Sequence, residues 1–62
     1  MTTNTKTTSW NGWIITVTEN YFGQWAYLMT KDSNCIEGIV NANSWAGAAL
    51  KAVEREFPDE EI

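Results

Sequence analysis

Polar and apolar positions along the chain fall into three short runs followed by one longer period. Residues 13–19 (Trp-Ile-Ile-Thr-Val-Thr-Glu) are dense in β-branched and aromatic types, which is a strand composition. Asn20 to Gly23 reads as a loop, with Gly23 suited to a positive φ. Residues 24–31 read as a second strand, Asp32-Ser33-Asn34 as a turn, and residues 35–41 as a third strand with Gly38 inside it. Asn43 and Ser44 then offer N-caps for a helix that runs to about Phe57 and stops before Pro58. Within that helix Ala46, Ala49, Leu50, Val53 and Phe57 form an apolar stripe, and Ala48, Lys51 and Arg55 take the opposite side.

The pattern predicts an α+β fold: a three-stranded antiparallel meander with one C-terminal helix packed across one face (βββα). Residues 1–9, rich in Thr and Asn, read as a flexible N-terminal tail, residues 10–58 as one domain, and residues 59–62 as an acidic C-terminal tail. The chain begins at Met and reads as a complete small gene product.

Strand register decides which residues share a face, because side chains alternate across a strand. A four-residue first loop sets Glu19 opposite Gln24, and a three-residue second turn sets Lys31 opposite Cys35. One face then holds Trp13, Ile15, Val17, Ala26, Leu28, Ile36 and Val40, with Gly38 leaving room for the helix. The other holds Ile14, Thr16, Thr18, Trp25, Tyr27, Met29, Glu37 and Ile39. Trp, Tyr and Met are enriched at protein interfaces, so Trp25, Tyr27 and Met29 are candidate partner-binding residues. A register different by one residue makes those three the core instead. Tyr21 and Phe22, two aromatics at the tip of the first loop, are further binding candidates. Trp45 either caps the edge of the core or extends a contact surface.

Size sharpens the question of stability. A chain of 62 residues buries only about 60% of its unfolded surface. Cys35 has no second cysteine to pair with, and without His a structural zinc site lacks its usual ligands, so no metal or cofactor is expected. Four Trp, two Tyr and two Phe are left to fill the core, alone or in a homodimer.

Composition also excludes chemistry. Without His there is no Ser-His-Asp arrangement and no partner to activate Cys35, so an enzyme is not expected and no catalytic residue is assigned. The net charge of −4 disfavours direct nucleic-acid binding. No run reaches the roughly 20 apolar residues of a membrane span, and the first eight residues contain no signal-peptide core. A lone Cys points to a reducing, cytoplasmic setting.

The segment from Cys35-Ile36-Glu37-Gly38 through Ser44-Trp45-Ala46 to Ala52, a strand with Gly followed by a capped Ala-rich helix, resembles antitoxin domains of the HicB type. It departs from them in lacking the acidic-proline turn between strands, and no functional residue is carried over. The resemblance implies an antitoxin-like or regulatory partner protein. The reading from composition is a non-catalytic protein-binding module that acts stoichiometrically on a larger protein or complex. Inhibitors of host defence encoded by phages or mobile elements are the class of small acidic chain it matches. An acidic DNA mimic, built on the carboxylates at the C-terminal end, and a small-molecule binder rank below these.

Overall fold

The computed structural model describes residues 4–21 and 23–59. They form strands β1 (Thr5–Trp10), β2 (Trp13–Tyr21), β3 (Gln24–Lys31) and β4 (Asn34–Asn41), then helix α1 (Trp45–Glu56). The sheet is an antiparallel meander in the order β1-β2-β3-β4, and α1 packs across one face. The α+β class and the antiparallel sheet are as expected from the sequence, but there are four strands rather than three.

The additional strand, β1, lies where a flexible tail was expected. Asn11 and Gly12, both at positive φ (50° and 87°), make a two-residue hairpin turn that sets Trp10 opposite Trp13. Asn-Gly is the pair that tolerates such a turn, whose twist matches the flanking strands. Thr5 then pairs with Thr18 and Thr7 with Thr16, with hydroxyl oxygens 3.2 and 3.3 Å apart. Residues 1–3 of that expected tail, and residues 60–62 of the acidic one, lie outside the described residues.

The register of β3 also differs from expectation. Asn20 is skipped as a bulge between Glu19 and Tyr21, so Glu19 faces Trp25 rather than Gln24. The next turn holds only Asp32 and Ser33, so Lys31 faces Asn34 rather than Cys35. A slip of one residue turns a whole strand over. Here two slips occur on either side of β3 and cancel beyond it. β2 and β4 therefore present the expected faces, and β3 alone is reversed.

Consequently Trp25, Tyr27 and Met29 join Ile15 and Val17 beneath the helix. The helix meets them with small residues, Ala48, Ala49 and Ala52, together with Val53. The buried stripe thus differs from the expected one: Ala48 faces the sheet, while Leu50 and Ala46 are exposed. Bulk comes from the sheet, so the helix contributes close approach. Gly38 serves the same packing, because a Cβ there would collide with the Tyr27 hydroxyl.

Three contacts fix the helix over the core. The Ser44 Oγ accepts from the Gly47 N–H at 3.2 Å as N-cap. The Trp25 indole N–H donates to the Ala42 carbonyl at 3.2 Å, satisfying a buried donor. At the far end Phe57 lies between Trp10 and Trp13, with ring centroids 5.3 and 5.4 Å away. This aromatic cluster fastens the first hairpin to the end of the helix without a disulfide.

Candidate functional site

The sequence candidates separate into two groups. Trp25, Tyr27 and Met29 are 4%, 3% and 0% exposed and lie in the core. The open-face reading of these three is corrected by the β3 register, and the alternative reading holds. The Tyr27 hydroxyl donates to the Glu56 carboxylate. Burial first, then that hydrogen bond and the negative charge of Glu56, push the Tyr27 phenol up to about 12. Tyr21 is strongly exposed at the end of β2. Phe22 lies outside the described residues.

The open face of the sheet carries other residues. Its rows are Ser9, Ile14, Thr30 and Cys35; Thr7, Thr16, Leu28 and Glu37; and Thr5, Thr18, Ala26 and Ile39. Ile14, Leu28 and Ile39 are exposed and sit diagonally, an aliphatic streak beside a field of hydroxyls. Isolated exposed aliphatics are ordinary on a protein surface.

A more shaped site lies on the helix side. The helix packs mainly over β2, β3 and β4, leaving a cleft against β1. Thr8 and Trp10 of β1, Ile15 of β2, and Trp45, Ala46, Ala49, Leu50 and Val53 of the helix line this shallow, open cleft of about 230 Å³. Thr8 is the only polar residue in that lining among the described residues. Trp45 and Leu50 form the outer rim and are 39% and 43% exposed. Trp45 also borders a second, more polar hollow of about 300 Å³ with Asn4, Lys6, Glu19, Trp25, Asn43 and Ser44. There the Glu19 carboxylate accepts from the Asn4 amide at 2.8 Å and from the Gly23 N–H at 3.3 Å.

Local sequence explains this arrangement. Ser44 caps the helix, so Trp45 starts the first turn at the mouth of the cleft. Leu50 lies about 140° around the helix from Trp45, beside Ala46 and Ala49 on the β1 side. The sequence reading missed Leu50 by assigning it to the core, and missed the β1 wall altogether. The Asn11-Gly12 pair between two tryptophans was the signal for that wall.

Among the described residues no three His, Cys, Asp or Glu side chains gather where they could hold a metal ion. No helix among them is long and apolar enough to cross a membrane. Comparison with protein-family models, with curated proteins and with solved structures finds no match to this chain.

Proposed function

We propose that this chain is a small non-catalytic protein-binding module that acts stoichiometrically on a larger protein, with its partner seated in the cleft between β1 and α1. The observation that carries this reading is the pair Trp45 and Leu50. They are large apolar side chains left exposed on the rim of an apolar cleft, in a domain whose helix otherwise buries only Ala and Val. Tryptophan on a partly enclosed apolar surface is a common anchor of protein interfaces. The net charge of −4, and Glu54 one helical turn beyond Leu50, favour a partner segment with a large apolar side chain beside basic residues.

The absence of His from the sequence and the apolar lining of the cleft support a binding rather than a catalytic role. Occlusion of a partner's working surface is the mechanism, whether that partner is a host defence protein or a toxin. An exposed, unpaired Cys35 fits a reducing, cytoplasmic setting.

The test is quantitative capture from cells of the source organism with tagged wild type and with the double variant Trp45→Ala/Leu50→Ser. The wild type is expected to retain a partner at near one-to-one ratio. The variant is expected to lose at least about tenfold in affinity with unchanged far-UV circular dichroism, since losing one hot-spot tryptophan alone costs at least this much. Equal retention by a folded variant refutes the cleft as the binding site.

A further inference from the structure

The two edges of the sheet end differently. In an antiparallel ladder every second residue turns its N–H and C=O toward the neighbouring strand, and the residues between turn theirs away. The Ala42 N–H donates to the Gly23 carbonyl at 3.0 Å, which sets the phase along β4: Cys35, Glu37, Ile39 and Asn41 point outward. The helix takes two of these four carbonyls, Ile39 by Arg55 Nη1 at 2.8 Å and Asn41 by Lys51 Nζ at 2.7 Å, so only the first half of β4 has its edge open. On β1 the Glu19 N–H donates to the Asn4 carbonyl at 2.9 Å, so Lys6, Thr8 and Trp10 bond to β2 while Thr5, Thr7 and Ser9 point outward. Nothing among the described residues covers those three, and β1 carries neither a proline nor a bulge to blunt the edge.

We propose that β1 is a dimerisation edge, pairing antiparallel with β1 of a second copy about a two-fold axis through Thr7. The order of residues favours a second copy over a foreign strand. Centred on Thr7, the pairing sets Thr7 against itself and Thr5 against Ser9, so all three outward residues on each chain are satisfied together. Hydroxyl residues opposite one another are favourable cross-strand pairs. On the helix side Lys6 falls opposite Thr8 of the second copy, so no like charges meet directly.

The product is one eight-stranded sheet. The two-fold axis runs perpendicular to it, so both helices lie on the same face. The clefts flank the seam and become one groove, floored by two β1 strands and rimmed by Trp45 and Leu50 of each copy. The cleft described above is then half of the complete site. This inference extends the binding proposal but is measured without any partner protein, so either can fail alone.

Sedimentation over a dilution series should show wild type in reversible monomer–dimer exchange. Thr7→Pro removes an N–H that the monomer does not use and should give a folded monomer at every concentration. In a Cys35→Ser background, Thr7→Cys should form a disulfide-linked dimer under mild oxidation and Thr18→Cys should not. Facing Cα atoms of a doubly bonded pair are about 5.5 Å apart, within disulfide range. If Thr7→Pro fails to fold, the cysteine pair decides. A wild type that stays monomeric throughout, a dimer that survives folded Thr7→Pro, or cross-linking at Thr18 rather than Thr7 overturns the proposal.

Discussion

Under the helix, the two sides of the sheet are built to opposite ends. Toward β3 and β4 the apolar core is covered. Trp25, Tyr27 and Met29 fill the space below Ala48 and Ala52, Gly38 clears room for the Tyr27 ring, and Lys51 and Arg55 cap the outward carbonyls of Asn41 and Ile39. Toward β1 it is open. Lys6 and Thr8 take inward positions ahead of Trp10, no group among the described residues pairs with the outward backbone of Thr5, Thr7 and Ser9, and Trp45 and Leu50 overhang a cleft. Stability is therefore concentrated on one side, which leaves the other free to carry a binding surface without endangering the fold. In so small a domain this division matters, because net stability is only a few kcal/mol above unfolding.

The largest expected effect breaks the closed side. Trp25→Ala removes a buried indole and its hydrogen bond to Ala42, and should cost about 3–5 kcal/mol, enough to unfold most of the population. Trp45→Ala, on the open side, should leave the urea midpoint nearly unchanged. Comparable losses from the two substitutions would mean that the sides do not differ.

Tyr27→Phe is a smaller probe of the closed side. It should cost about 1 kcal/mol at neutral pH, because the half-buried Glu56 regains water once its donor is gone. The pH dependence is more telling. The folded Tyr27 phenol ionises near 12 and an ordinary one near 10, so folding favours the protonated form. That stabilisation is whole below pH 10 and is lost as pH climbs toward 12. Wild type should lose stability in that window and Tyr27→Phe should lose much less, as read by denaturant midpoints at stepped pH. Parallel curves would mean that Tyr27 is not held against Glu56.

How much of this was legible in the sequence follows from what each element buries. β2 alternates over Ile15-Thr16-Val17-Thr18 and β4 over Ile36-Glu37, so both strands and their facing could be read, while the cap and stopping proline of α1 gave its bounds but its stripe did not give its buried side. β3 could not be placed, because Trp25, Tyr27 and Met29 on one side and Ala26 and Leu28 on the other are both apolar. Only a bulge at Asn20 and a two-residue turn at Asp32-Ser33 choose between them. β1 looked like a tail because Thr5 to Ser9 bury little, which is the same property that leaves the cleft open. Leu50 was read as core since bulk on a helix stripe usually faces inward. Here the sheet supplies the bulk, and the leucine is turned to the rim. The candidate site was thus hidden for a physical reason: Leu50 fits a core stripe whose place the sheet side chains fill, and β1 buries too little to be recognised as a strand.

The cleft and the dimer seam both depend on β1 being a strand paired to β2 on one side and open, among the described residues, on the other. Residue-resolved amide hydrogen exchange on a dilute sample tests that directly. The account predicts alternation along β1: Lys6 and Thr8, bonded to β2, exchange slowly, while Thr5, Thr7 and Ser9 exchange fast. Uniformly fast exchange from Thr5 to Ser9 would contradict it, because a frayed β1 provides neither a wall for the cleft nor an edge to pair.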